Sequence, residues 1–152
     1  MSGFIGRGGL WVLVQLGLFA AILATGWSGM LPFDRVPILG SVVFAAGIAI
    51  IGLSFVALGR SLSPFPEPLE HGRLVDRGPY GVVRHPIYTG VIVSFTGFSL
   101  RAGSWLALGL TLVLVAFFWL KTGREERALQ AAYPDYVGYT QRVRWRIIPF
   151  LL

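Results

Sequence analysis

The residues with the means for chemistry fall in two places. Arg77-Gly-Pro-Tyr-Gly-Val-Val-Arg-His-Pro-Ile-Tyr-Thr-Gly90 gathers two arginines, a histidine and two tyrosines between helix-breaking residues, in a chain that is 55% apolar. Gly78, Pro79 and Gly81 interrupt any regular helix there, and Pro86 has the fixed φ of a first helical position. A structured loop therefore feeds a helix whose first unbonded N–H groups lie beside His85. The second place is Lys121, Arg124, Glu125, Glu126 and Arg127, a charged run that follows directly on a long apolar one. Adjacent helical residues point about 100° apart, so one glutamate is expected to face His85 squarely while the other pairs with arginine or lines a second wall.

Several chemistries drop out. The two histidines, His71 and His85, lack the spacing for a three-ligand zinc site, so no metal is expected. No serine stands in a nucleophile elbow, and there is neither a Gly-x-Gly-x-x-Gly strand–turn–helix nor a P-loop. What remains is a basic, aromatic binding site at a bilayer surface, open to water on one side and to lipid on the other. Such a site suits joining a soluble cofactor to a lipophilic acceptor.

The elements that must position these residues are written in the apolar runs. Only 13% of residues are charged and the mean hydropathy is +0.69, which together argue for lipid as the solvent and an all-α integral membrane protein. Four spans are expected, at about 10–27, 38–58, 86–101 and 104–120. The first, following Arg7 and reaching Ala24, also has the form of a signal peptide. The second has 21 uncharged residues from Ile38 to Leu58, and its Ser41, Ala45 and Ala49 predict a ridge where another helix approaches closely. The third falls short of the roughly 20 residues of a full crossing, which puts Arg84 and His85 at headgroup depth or slightly below. Arg101-Ala-Gly103 makes a tight turn into the fourth, so helices three and four form a hairpin that returns Glu125 and Glu126 to the start of helix three.

Between the second and third spans, Pro64, Pro66 and Pro68 predict an extended start to a long loop. After Lys121 the character becomes amphipathic, with Pro134 separating a helix that ends near Tyr133 from one carrying Tyr136 and Tyr139. With four spans, eleven of the thirteen basic residues fall on one side and only Arg35 and Arg101 on the other. The positive-inside rule then makes both termini and the motif loop cytoplasmic. The net charge of +6 accordingly reflects topology and anionic-lipid contact, not nucleic acid. With no cysteine, disulfides are excluded, and this together with small size fits a prokaryotic inner membrane.

The chain resembles the membrane methyltransferase family that includes isoprenylcysteine carboxyl methyltransferase and the phospholipid N-methyltransferases. The resemblance covers about residues 70–150, within a single membrane domain expected over 1–152. It is carried by Arg73-Leu-Val75, Gly-Pro-Tyr80, Arg-His-Pro-Ile-Tyr88, Glu125-Glu126, and Tyr136-x-x-Tyr139-x-x-Arg142-Val with Ile-Pro149. It implies S-adenosylmethionine as cofactor, bound without a Rossmann fold by residues 72–90 and 121–149. By position, Arg73, Leu74, Val75, Tyr80, His85, Pro86, Tyr88 and Glu125 would surround it, with Glu126 alongside. Tyr80 and Tyr88 can offer ring faces to the adenine or the sulfonium, Glu125 can hold amino or ribose groups, and the N–H groups after His85 suit the carboxylate.

On the acceptor side the resemblance implies Glu126, Lys121 and Arg124. The carboxyl-methylating branch has an arginine where Lys121 stands, and an ammonium does not make the bidentate fork. The acceptor is a lipophilic or membrane-embedded carboxylate, amine or thiol; for the last two, Glu126 or His85 would take the proton. Arg-His-Pro-x-Tyr also occurs in related membrane sterol reductases, which keeps an NADPH-dependent reductase open, and a small membrane scaffold is the non-catalytic alternative.

Overall fold

The computed structural model describes residues 8–59 and 74–151. Arg7, Arg60, His71, Arg73 and the Pro64, Pro66 and Pro68 stretch lie outside the described residues. Five α-helices follow in chain order: α1 (Gly9–Ser28), α2 (Pro37–Leu58), α3 (Pro86–Ala102), α4 (Trp105–Ala132) and α5 (Tyr136–Arg142). A 3-10 helix at Gly78–Gly81 precedes α3. The described secondary structure is otherwise one isolated bridge between Pro32 and Ser104.

Three of these helices, α1, α2 and α4, are long and apolar enough to cross a membrane. Their outward faces are oily as well: Ile38 and Val56 are each 82% exposed, which only a lipid solvent makes favourable. At 17 residues, α3 extends about 26 Å, less than a full hydrocarbon thickness. Conversely, α4 does not stop where its apolar run ends. It continues unbroken for 28 residues, so the segment after Lys121 that reads as a separate amphipathic helix is the projecting end of α4. Leu, Ala, Glu and Arg are all good helix formers, and nothing before Pro134 breaks the hydrogen-bond ladder.

Neighbouring helices run antiparallel. The hairpin turn between α3 and α4 is closed by Gly103 at φ 71°, a left-handed conformation in which a side chain would be strained. Ser104 caps α4 by accepting from Ala107 N–H, and its hydroxyl reaches Met30 C=O at 2.9 Å, tying the end of α1 to the same corner. Behind the motif loop, Tyr88 and Val91 pack on a core of Ile22, Ile92, Ala107, Leu114, Phe118 and Ile147.

The tightest seam joins α2 to α3, though not along the expected ridge. Ala45 and Ala49 face outward, and the close face is made by Gly40 and Gly47 against Gly90 and Gly97. A Cβ on Gly47 would stand 2.4 Å from Ser94 N, and one on Gly97 2.3 Å from Phe44 N. Seven residues is nearly two helical turns, so each glycine pair repeats on one side and two backbones meet. Gly47→Leu is therefore expected to part α2 from α3 and destabilise the bundle by about 1–3 kcal/mol. A melting curve in detergent reads this, and an unchanged midpoint would contradict the seam.

Candidate functional site

The antiparallel order gathers the first turns of α1, the end of α2, the start of α3 and the latter half of α4 at one end of the bundle. His85 is the N-cap of α3 and Pro86 its first residue. The His85 ring is stacked near Tyr88 (5.8 Å between centroids), and Tyr88 is stacked in turn on Phe118 of α4 at 4.2 Å. This ladder of rings brings α3 against α4 where Glu125 and Glu126 emerge.

Both carboxylates reach the imidazole. Glu125 Oε2 lies 3.6 Å from His85 Nδ1, and Glu126 Oε1 lies 3.4 Å from Nε2. The ring slots between two consecutive residues, so the expectation that only one glutamate faces His85 is corrected: the side chains bend round it from either side. Tyr88 OH donates to Glu125 Oε1 at 2.7 Å. On Glu126, Arg84 Nε–H donates to Oε1 at 2.6 Å and the Arg146 guanidinium meets Oε2 at 2.8 Å. A carboxylate gripped by two guanidiniums is strongly favoured in its charged form. Glu126 therefore holds the site together and is poorly suited to taking a proton.

The last turnless stretch of the chain straps over this cluster. Arg84 N–H donates to Trp145 C=O and His85 N–H to Arg146 C=O, both at 2.9 Å. Arg84 Nη1 also reaches the carbonyls of Val143 and Arg144 at 2.8 Å, and Thr89 Oγ1 donates to Ile147 C=O. Arg146 completes the strap by lying 4.3 Å over the Trp119 ring. Residues some sixty positions apart in sequence thus share one small ion network.

Beneath the glutamates, Lys121 is 98% buried, its Nζ donating to Gln15 Oε1 of α1 at 2.7 Å. The ammonium is 3.8 Å from Glu125 Oε1 and 5.1 Å from the Tyr88 ring centre. It thus links α1 to the site. Four buried polar atoms have no hydrogen-bond partner in the described protein: Ser94 Oγ, His85 Nε2, Tyr136 OH and Arg146 Nε. The last three belong to the site region. Buried polar atoms left so are uncommon and call for a ligand or water.

A second group of rings supports the loop from behind. Tyr136, Tyr139 and Val143 form a buried cluster against which Leu74 packs, and Tyr139 OH donates to Tyr80 C=O at 2.7 Å. Burial pushes the Tyr80 hydroxyl up to about 12 and holds those of Tyr136 and Tyr139 far above their ordinary range. These phenols stay protonated in the fold while the unfolded chain ionises near pH 10.0. Stability should accordingly be complete below that pH and fall as pH rises toward 12. Thermal melts at stepped pH check this, and Tyr80→Phe should flatten the decline.

Of the residues singled out in the sequence, the structure gathers Tyr88, Glu125, Glu126, His85, Pro86 and Lys121. Leu74 packs on the tyrosine cluster, Tyr80 joins it through its backbone carbonyl, and Val75 is half-buried next to Leu74 in sequence. Arg124 is exposed, on a face of α4 turned away from the glutamates, and is not brought into the cluster. Arg73 lies outside the described residues. Sequence reasoning passed over Gln15, the one amide in the apolar run of α1, and did not single out Arg84 and Arg146 as a pair. An amide at membrane depth is itself a signal, because it requires a partner.

Residues 36–136 match the phospholipid methyltransferase family, PEMT, a stretch running from the N-cap of α2 to the first residue of α5. The chain belongs to the phospholipid methyltransferase family. It is also similar to Protein-S-isoprenylcysteine O-methyltransferase B of Arabidopsis thaliana, 31% identical over 108 residues, which is 70% of this chain and 52% of that protein. A further relative is the Cobalt-zinc-cadmium resistance protein CzcN of Cupriavidus metallidurans, 27% identical over 142 residues, 90% of this chain and 61% of the relative. The chain thus spans between half and two thirds of these relatives' lengths. Within this phospholipid methyltransferase family member, the matched stretch contains His85, Tyr88, Lys121 and both glutamates, while Gln15 and Arg146 lie beyond it.

Proposed function

We propose that this chain is an S-adenosylmethionine-dependent methyltransferase that modifies a lipophilic acceptor at the cytoplasmic face of a membrane. The observation that carries the reading is the meeting of His85 and Tyr88 with Glu125 and Glu126 across about forty residues, in a buried cluster of polar groups at one end of an apolar bundle. The unpartnered Tyr136 OH and Arg146 Nε leave polar groups for a cofactor, and the Glu125 carboxylate suits a cationic one. When bound, S-adenosylmethionine supplies a methyl group already activated by its sulfonium. The chain's own residues then bind, align and exclude water. Glu125, held by Tyr88 and facing Lys121, is placed to fix amino or hydroxyl groups. Glu126, locked between Arg84 and Arg146, keeps the strap closed over the site, and such positioning can supply about 7–11 kcal/mol.

With four crossings, α3 being the short fourth, the distribution of Arg and Lys supports a cytoplasmic site end, in a single domain over 1–152. The acceptor's oily part enters between helices. Lys121 has N–H donors beyond the one given to Gln15, which favours an acceptor with a negatively charged oxygen. An amine or thiol acceptor would instead lose its proton to the His85 imidazole.

Gln15→Leu tests the acceptor wall. It leaves the buried ammonium without its partner, destabilising by about 1–3 kcal/mol, and is expected to raise KM for the acceptor with little change in S-adenosylhomocysteine affinity. An unchanged KM would remove Lys121 from the acceptor side. The function itself is tested by incubating purified protein with methyl-labelled S-adenosylmethionine and a total lipid extract. Label in a chloroform-soluble product supports it; none, with NADPH consumed instead, points to a reductase.

A further inference from the structure

At the opposite end of the bundle, α1 and α2 both lean on α3 with little direct contact between them. The gap there is a cavity of 390 Å³ walled by Trp27 of α1, Phe44 of α2, Phe98 and Arg101 of α3, and Arg35 of the α1–α2 connection. None of these residues belongs to the His85 site. Gly26 lets the Phe98 ring lie against α1, since a Cβ there would stand 2.3 Å from the ring, and Trp27 meets Phe98 edge-on at 6.4 Å.

The two arginines are the only basic residues assigned to this side of the membrane, and their backbones are fixed. Phe33 N–H donates to Gly103 C=O at 2.9 Å and Val36 N–H to Leu100 C=O at 3.2 Å, so Arg35 is pinned on both sides to the turn that carries Arg101. Among the described residues neither guanidinium is in an ion pair, although the exposed Asp34 is adjacent in sequence. Two guanidiniums offer ten donors in rigid forks that match phosphate oxygens. Below them the walls are aromatic, and Trp27 and Phe44 are exposed on helices fit to cross a membrane.

We infer that this cavity binds one anionic phospholipid of the leaflet opposite the His85 site, its phosphate between Arg35 and Arg101 and an acyl chain along Phe44 and Phe98. Charge complementarity selects the headgroup, and the oily lower wall selects a lipid over a soluble anion. Trp27 stands at the depth where indole rings favour the interface. The inference does not depend on methyl transfer.

Native mass spectrometry of the full chain in detergent tests it, with phosphatidylglycerol, phosphatidylcholine and inorganic phosphate as probes. The wild type should retain one phosphatidylglycerol per chain. The double variant Arg35→Gln/Arg101→Gln should weaken that adduct by about tenfold or more, whereas Arg144→Gln, in the basic tail at the other end, should not. Phe44→Ala leaves both arginines intact and should also weaken it, which keeps the test valid if the double variant does not fold. Equal retention of phosphatidylcholine, displacement by inorganic phosphate, or an undiminished adduct in both the arginine and Phe44 variants would overturn the inference.

Discussion

Glu126→Gln is expected to release the C-terminal strap and to abolish most methyl transfer. The carboxylate meets Arg84 on one oxygen and Arg146 on the other, at 2.6 and 2.8 Å. An amide keeps a single acceptor oxygen and turns its NH2 group toward the second guanidinium, where both are donors. Breaking a buried pair in this way destabilises by up to about 3–5 kcal/mol, because Arg84, 9% exposed, gives up a carboxylate that little water replaces, while the 22% exposed Arg146 is partly hydrated. The loss should concentrate in residues 143–147, whose carbonyls accept from Arg84, His85 and Thr89. Hydrogen exchange would show the Arg84 and His85 amides, which donate to the strap, opening first, with α1 and α2 unchanged. Uniform exchange across the chain, or none, would mean that Glu126 does not organise the strap.

Glu125→Gln should behave differently. Its neighbours are the Tyr88 hydroxyl, which can still donate to an amide oxygen, the His85 ring, which keeps Glu126 on its other side, and the Lys121 ammonium, which retains Gln15. The fold should therefore change little. Affinity for S-adenosylhomocysteine should fall by about ten- to a hundredfold, the worth of one hydrogen bond to a charged group. The contrast between the two glutamates is the useful part. If Glu125→Gln lost stability without losing affinity, the roles assigned to the pair would have to be exchanged.

How much of this was legible in the sequence depended on distance along the chain. The apolar runs marked α1, α2 and α4, because a bilayer-spanning helix must be apolar along its whole length. The hairpin at Arg101-Ala-Gly103 followed from a glycine placed where α3 has to stop, and it correctly returned Glu125 and Glu126 to His85. Other features depended on rotation about a helix axis, which an apolar pattern on every side does not specify. Ala45 and Ala49 looked like the close face of α2 for that reason, whereas Gly40 and Gly47 form it. The unbroken length of α4 was hidden by a change of polarity at Lys121 that is a change of solvent, not of backbone.

The strap was beyond reach for another reason. Pairing of Arg84 and His85 with Trp145 and Arg146 uses backbone groups, which every residue has and which leave no mark on composition. Gln15 did leave a mark, as a lone amide in an oily run, and its partner Lys121 was the nearest charged residue on the helix packed against it. Intramembrane polar residues are thus best read in pairs across helices.

The buried ends of α3 and α4, closed by the strap, are proposed to hold a sulfonium cofactor. Calorimetric titration of the detergent-solubilised chain with S-adenosylhomocysteine tests this most directly. One molecule bound per chain at micromolar levels, with His85→Ala lowering the affinity, is the result expected. A flat titration of folded protein, or binding indifferent to His85, would contradict it.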